Sequence, residues 1–148
     1  MTRLPKKTKK PKKRKLISMK GLEKKAVTIF SRYIRLRDSQ KCGSVGLDWV
    51  NCYTCGTSVL IGEAEAGHFI KRGKTIFKFA EWNSNAQCTR CNHFLNGNDG
   101  IYAIKLIKEY GFDFIEDKKK HENDYYKFKR EELESIIRKC ANKIADII

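Results

Sequence analysis

Four cysteines stand in two pairs, and the members of each pair are separated by two residues. The first pair is Cys52 and Cys55, and the second is Cys88 and Cys91. This spacing lets two thiolates chelate one tetrahedral ion, and two such pairs supply the four sulfurs of a structural zinc site. Two disulfides or a thioredoxin-like redox site are the alternatives, but no βαβ pattern surrounds either pair. We therefore predict structural Zn²⁺ whose coordination is filled by sulfur, with no position left for a catalytic water.

Other polar side chains are concentrated around the cysteine pairs. His68 lies between the pairs, Asn83 lies shortly before the second pair, and Asn92 and His93 follow it directly. A single zinc ion would therefore bring a histidine, an asparagine and an amide-rich helix start close together. A strand histidine is often a packing residue and an asparagine at a helix start is often a cap, so these residues alone leave the chemistry open.

The charge of the chain predicts a polyanionic partner. It has 32 Lys and Arg against 17 Asp and Glu, and its first 20 residues are rich in lysine and contain no acid. Such an excess is typical of proteins that bind nucleic acid, although a solubilising or targeting tail has the same composition. The candidate DNA contacts are Lys12, Lys13 and Arg14 in this basic arm, and Lys71, Arg72, Lys74 and Lys78 in the segment KRGKTIFKF. That segment suits a loop along a phosphate backbone, or a partly packed surface loop.

The remaining cysteines and the apparent absence of export signals predict an intracellular protein. No signal-peptide pattern or run of membrane-spanning length is visible, so we expect a cytoplasmic location and no membrane partner. In a reducing compartment, six cysteines favour metal binding or buried thiols over disulfides. Cys42 and Cys140 have no partner at ligand spacing and are predicted to be buried thiols. Cys42 is the expected substitute if one of the four ligands is misassigned.

Apolar periodicity predicts an α+β fold in which helices flank a small β-rich core. Apolar residues recur at three- and four-residue steps in the predicted helices, whereas the basic arm has little to bury. The stripe of the last helix is expected to be core, with a dimer seam as the alternative. We predict a disordered arm at 1–20 and a domain at 21–148. The domain begins with a helix at 22–38 and a loop at 39–49, and continues with a zinc-stapled core at 50–98 that contains strands at 59–61 and 66–70. Its C-terminal helices lie within 99–148, at about 99–110 and 129–147.

The order of these motifs resembles a known nuclease module. Cys-x-x-Cys, Gly-His, Asn and Cys-x-x-Cys-Asn follow one another as in the zinc-stapled HNH, or ββα-metal, module. More narrowly, residues 22–145 resemble the NinG (Rap) family of lambdoid phage recombination proteins in AGHF, in QCTRCN and the later Gly-Asn, and in YAIKLIKEYG. The resemblance implies a ββα-metal core flanked by helices.

The resemblance also implies catalytic roles. His68 is the implied general base that takes a proton from water, and Asn83 is the residue that braces its imidazole. A divalent cation, Mg²⁺ or Mn²⁺, is implied beneath the scissile phosphate.

The implied ligands of that cation depart from the common family pattern. Asn92 stands where the last histidine usually stands, Asn96 is expected one helical turn later, and His93 is the alternative ligand. Gly67 stands where an acid commonly precedes the first histidine. Glu65 is the nearest acid, but strand alternation is expected to aim it elsewhere.

The implied function is a metal-dependent endonuclease that hydrolyses phosphodiester bonds in branched recombination intermediates, such as Holliday junctions or D-loops. A homodimer would supply the two active sites that symmetric resolution of a junction requires. The implied location is the nucleoid of a bacterial or phage-infected cell. The alternative is a non-catalytic, zinc-containing protein that binds nucleic acid through its basic arm and loop.

Overall fold

The fold is that of a computed structural model that describes residues 15–42, 47–73 and 76–148. Most of the predicted arm lies outside the described residues. So do four of the predicted DNA contacts, namely Lys12, Lys13, Arg14 and Lys74.

The first helix, α1 (Met19–Gln40), is longer than the predicted helix at 22–38. Its earlier start follows from Ser18, whose side-chain oxygen accepts a hydrogen bond of 3.1 Å from the backbone N–H of Gly21. Such a cap satisfies one of the free N–H groups of the first turn. The apolar face of α1 is buried as its periodicity predicted, and it includes Leu22, Ala26, Phe30, Tyr33, Ile34 and Leu36.

Two antiparallel strand pairs follow α1. β1 (Trp49–Asn51) pairs with β2 (Ser58–Leu60), and β3 (Glu65–His68) pairs with β4 (Ser84–Gln87). β2 and β3 overlap the predicted strands, but β1 and β4 were not predicted. β4 has the polar sequence SNAQ and is nevertheless buried along its whole length. Two of its amide side chains donate hydrogen bonds inside the protein, Asn85 to Tyr102 and Gln87 to Thr54.

Two helices continue the chain after the second cysteine pair. α2 (Asp99–Tyr110) has the predicted bounds and ends at Gly111, whose positive φ of 91° suits glycine. α3 (Phe112–Lys120) was not predicted, because only Ile115 of its nine residues is buried. The cluster that these helices form with the chain after β3 comprises Phe69, Ile70, Tyr102, Leu106 and Ile115.

The last helix, α4 (Arg130–Ile147), packs along α1. Leu133 lies in a buried cluster with Leu22 and Ala26, and Cys140 and Ile144 lie in a second cluster with the middle of α1. The prediction that the apolar stripe of this helix is core is therefore confirmed.

Helices and short antiparallel sheets together confirm the α+β class. The helix predicted to follow the second cysteine pair directly is replaced by a short turn, described below. Within the described part of the chain, no helix has both the length and the apolar character needed to cross a membrane.

A buried ion pair joins α1 to β4. The guanidinium of Arg37 contacts the carboxylate of Asp38 at 2.9 Å and also donates to the backbone oxygen of Ser84 at 2.8 Å. The other carboxylate oxygen of Asp38 accepts a 2.7 Å hydrogen bond from the backbone N–H of Ala86. One acid thus satisfies a cation of the helix and a backbone donor of the strand.

Replacing Asp38 should destabilise the protein strongly. In Asp38→Ala, the Arg37 charge and the Ala86 N–H lose their shared buried partner, so we expect the free energy of unfolding to fall by about 3–5 kcal/mol. Denaturant unfolding followed by circular dichroism measures this change. The control is Asp117→Ala, which removes an exposed pairing with Lys118 and should cost less than about 1 kcal/mol. Equal losses in the two variants would contradict the bridging role of Asp38.

Candidate metal centre and adjoining cleft

The structure brings the four paired cysteines into one cluster. The sulfurs of Cys52, Cys55, Cys88 and Cys91 all lie within 4.8 Å of one another. Those of Cys55 and Cys88 are 3.8 Å apart. Four Zn–S bonds of about 2.3 Å in a tetrahedron would place the sulfurs about 3.8 Å apart. The spacing and the soft, thiolate-forming donor set therefore fit a metal ion such as zinc.

The thiols of Cys52 and Cys88 differ in their tendency to ionise. Burial raises the pKa of Cys52, but hydrogen bonds, led by that from the backbone N–H of Cys55, outweigh burial and lower the pKa to about 6. Burial raises the pKa of Cys88 to about 12, and the adjacent Cys52 sulfur adds to the rise. The protein alone therefore favours a mixture of thiol and thiolate. A bound dication would supply the charge that lets all four sulfurs ionise.

The two remaining cysteines lie outside the cluster. The sulfur of Cys42 contacts the backbone oxygen of Asp38 at 3.4 Å and the backbone nitrogen of Asn51 at 3.1 Å. Cys140 is buried against α1, where burial raises the pKa of its thiol to about 11. Cys42 is only partly buried, but neither residue is needed to complete the four-sulfur set.

A cleft of about 590 Å³ lies beside the second cysteine pair. Apart from the four cysteines, it brings together six of the eight predicted site residues that the structure describes, and it adds Arg35 and Glu65, which had not been assigned a role. The polar and charged residues that line the cleft are Ser31, Arg35, Glu65, His68, Lys71, Arg72, Asn92, His93 and Asn96.

Glu65 binds both residues that follow the second cysteine pair. Its Oε2 accepts a 2.7 Å hydrogen bond from Nδ2 of Asn92 and lies 2.6 Å from Nε2 of His93. Burial raises the pKa of Glu65, but these two hydrogen bonds and nearby positive charge lower it below its usual value. The carboxylate is therefore ionised at neutral pH.

The expectation that Glu65 would point away from the site was wrong. It is the first residue of β3, a strand of only four residues, and its side chain reaches across to Asn92 and His93. An acid cannot occupy position 67 instead. A Cβ on Gly67 would lie 1.9 Å from Oε1 of Gln87, whose side chain is fully buried. Because position 67 has no room for a side chain, the acid that this strand contributes to the cleft is Glu65.

The helical spacing expected between Asn92 and Asn96 was also wrong. Residues Arg90–Phe94 form a single turn of π-helix, and Asn96 has a left-handed backbone with φ of 49°. Positive φ angles continue at Gly97 and Asn98 and turn the chain into α2. Asn92 and Asn96 both line the cleft, but the backbone oxygen of Asn96 accepts a hydrogen bond from Lys71.

The imidazole of His68 lies between two backbone carbonyl groups. Its Nε2 lies 2.9 Å from the oxygen of Lys78, and its Nδ1 lies 3.2 Å from the oxygen of Ala66. Burial lowers the pKa of His68, so the ring is neutral at pH 7 and carries one N–H. The shorter contact assigns that proton to Nε2. The lone pair of Nδ1 is then the one that can accept a proton.

Asn83 does not bond to the imidazole itself. It is fully buried, and its Oδ1 accepts a 2.7 Å hydrogen bond from the backbone N–H of Ile70. Its Nδ2 donates to the backbone oxygens of Ile70 and Phe77. Asn83 thus fixes the chain just before Lys78, the residue whose carbonyl group holds His68. Its direct contacts support the loop, so any effect on the ring is indirect.

The predicted basic contacts differ in their availability. Arg72 lines the cleft, and Lys71 does so while lying 3.5 Å from the carboxylate of Asp99. Lys78 is paired with Glu23, and its side chain is only 17% exposed. Arg35, on the polar side of α1, was missed because helical periodicity cannot tell which polar residue lies beside a cleft.

Loss of one cluster cysteine should abolish metal binding. We expect wild-type protein to carry one zinc ion per chain, and Cys88→Ser to lose it together with cooperative unfolding, because metal binding and folding are coupled. Elemental analysis and thermal melting measure the two effects. Cys140→Ser is the matched control, and it should keep the metal. A Cys88→Ser protein that melts cooperatively without metal would contradict the prediction.

Comparison with known proteins confirms the family resemblance. The family model described as Bacteriophage Lambda NinG protein matches residues 2–147. Protein ninG of Escherichia phage 933W and that of Enterobacteria phage VT2-Sa are each 26% identical to this chain over 125 residues, covering 84% of this chain and 57% of each relative. The chain therefore spans little more than half the length of these curated relatives. No solved structure matches it. Because the family model covers nearly the whole sequence, the chain belongs to the Bacteriophage Lambda NinG protein family.

Proposed function

We propose that this protein is a metal-dependent endonuclease of the HNH class that cleaves branched DNA. The observation that supports this proposal most directly is the composition of the cleft. The neutral imidazole of His68 lines the same cleft as the ionised carboxylate of Glu65, together with Asn92 and His93. Arg35 and Arg72 line the same cleft. A base, an oxygen-rich ligand set and fixed positive charge are the groups that phosphodiester hydrolysis requires.

In the proposed reaction, His68 is the general base. Its Nε2–H donates to the Lys78 carbonyl oxygen, which fixes the ring and leaves Nδ1 to take the proton from the attacking water. The low pKa of His68 keeps this nitrogen unprotonated at neutral pH. Arg35 and Arg72 are placed to bind the negatively charged phosphate that approaches the cleft.

Glu65, His93 and the amide oxygen of Asn92 are the proposed ligands of a divalent cation. A carboxylate and an amide suit Mg²⁺, and an added imidazole suits Mn²⁺ better. When bound, such an ion would stabilise the charge that develops on the phosphate and the leaving oxygen. In the described structure Nδ2 of Asn92 faces Glu65, so the amide oxygen is the atom left for a cation.

Branched DNA is the proposed substrate because of the family to which the chain belongs. The NinG resemblance points to Holliday junctions or D-loops in phage recombination, within the nucleoid of the host cell. A homodimer is proposed for symmetric cleavage, since each chain has one such cleft among its described residues. The basic excess of the sequence supports a nucleic-acid partner.

Replacing His68 should remove cleavage and leave DNA binding intact. With Mg²⁺ or Mn²⁺ added, wild-type protein should cut a synthetic four-way junction faster than a linear duplex of the same sequence. The His68→Ala variant should cut the junction about 10²–10⁴ times more slowly, because a general base contributes a factor of that order. The matched control is His121→Ala, which alters an exposed histidine paired with Asp124 and should cut at the wild-type rate.

Two outcomes would overturn parts of the proposal. If wild-type protein binds the junction tightly and cuts nothing in either metal, the alternative holds, namely a non-catalytic, zinc-containing DNA-binding protein. If His68→Ala cuts as fast as His121→Ala, His68 is not the base.

A further inference from the structure

The outer face of α1 is uniformly basic. Every exposed residue of this helix from Lys20 to Arg32 is either basic or a threonine, and these residues are Lys20, Lys24, Lys25, Thr28 and Arg32. The acid within this stretch, Glu23, is turned towards Lys78 and paired with it. Along this stretch the exposed charged residues are all cations, whereas Glu23 is partly exposed and paired with Lys78.

Three cations of this face have no acidic partner in the described part of the chain. Among the residues that the structure describes, Lys24, Lys25 and Arg32 form no ion pair, whereas Lys71 and Lys78 are paired with Asp99 and Glu23. Charges that a fold neutralises internally are less available to a ligand than charges left free. The free cations of α1 are therefore better suited to bind an external polyanion than the paired lysines near the cleft.

The same face leads into the cleft. Ser31 lies three residues after Thr28 on α1, and Arg35 lies three residues after Arg32. Both Ser31 and Arg35 line the cleft beside His68. From Lys24 to Arg35 the helix advances eleven residues, or about 16 Å at about 1.5 Å per residue. Measured along the axis of a duplex, that length corresponds to about five base pairs at about 3.4 Å each. Arg32 also lowers the pKa of Arg35, after the larger effect of burial, as expected for neighbouring cations.

We propose that Lys24, Lys25 and Arg32 form a track for the phosphate backbone of a duplex DNA arm and guide it to the cleft. This inference rests on the proposed function for the identity of the polyanion as DNA. It extends that function by assigning substrate binding to the outer face of α1, which carries neither the proposed general base nor a proposed metal ligand. Binding along such a track is independent of base sequence, because the contacts are to phosphates.

The test compares two triple variants with the same loss of charge. The track variant is Lys24→Ala, Lys25→Ala and Arg32→Ala. The control variant is Lys108→Ala, Lys139→Ala and Arg138→Ala, which removes three exposed cations that lie on α2 and α4 and line no part of the cleft. Affinity for a fluorescent duplex and for a four-way junction is measured over a range of salt concentrations without added Mg²⁺ or Mn²⁺, so that cleavage plays no part.

We expect the track variant to bind more weakly and with a shallower salt dependence. Losing three phosphate contacts should reduce the slope of log affinity against log salt by about 2–3, since each contact contributes about 0.9. The control variant should keep nearly the wild-type slope. Equal slopes in the two variants would overturn the proposal, because net charge alone would then account for binding.

A second measurement uses unaltered protein and does not depend on how a variant folds. Bound duplex should protect Lys24 and Lys25 from acetylation, while Lys108 and Lys139 should react as in free protein. Equal reactivity of Lys24 and Lys25 with and without DNA would overturn the track. A protein that shows this protection yet cuts no junction would retain the track and lose the proposed catalysis, so the two proposals can fail separately.

Discussion

The four-sulfur cluster is the constraint on which the cleft depends. Within the described residues each sheet has only two strands, and an isolated two-stranded hairpin is marginally stable in water. Cys52 and Cys55 belong to the turn between β1 and β2, whereas Cys88 and Cys91 follow β4, so one ion held by all four would join the two sheets. The turn after Cys91 carries Asn92 and His93 to Glu65 on β3. A metal ion in the cluster would therefore position the cleft and leave the proposed chemistry to the residues that line it.

The helix α1 serves the fold with one face and, as we propose, the substrate with the other. Its inner face packs against α4, and Arg37 and Asp38 bind it to β4. Arg35 donates a 3.0 Å hydrogen bond to the backbone oxygen of Ile61 and so reaches the segment between the two sheets. Because the helix is fixed at these points, the cations on its outer face hold a fixed position relative to the cleft. A rigid basic helix can then align a DNA backbone without a conformational change.

The sequence predicted those features that depend on spacing or periodicity. The cysteine pairs, the long helices and the end of α2 at Gly111 were found because each follows from residue type at a fixed interval. β4 escaped detection because its amide side chains donate to partners distant in sequence, such as Tyr102 for Asn85. Glu65 contacts Asn92 and His93, which lie more than 25 residues away in sequence, and no local pattern reveals such contacts. The left-handed backbone of Asn96 likewise prevents the helical spacing that the sequence predicted between Asn92 and Asn96.

The central claim is that the metal cluster holds both sheets and the cleft together, and chelation tests it most directly. Metal release can be followed with a zinc-sensitive dye while tryptophan fluorescence is recorded in the same sample. Trp82 is a suitable reporter because it packs against Phe77 and Phe114 beside the buried cluster that contains Tyr102, whereas the exposed Trp49 contributes a background. We expect metal release and the fluorescence change to follow one curve as chelator is added. Complete release of the metal with unchanged fluorescence and a retained cooperative melt would contradict the claim.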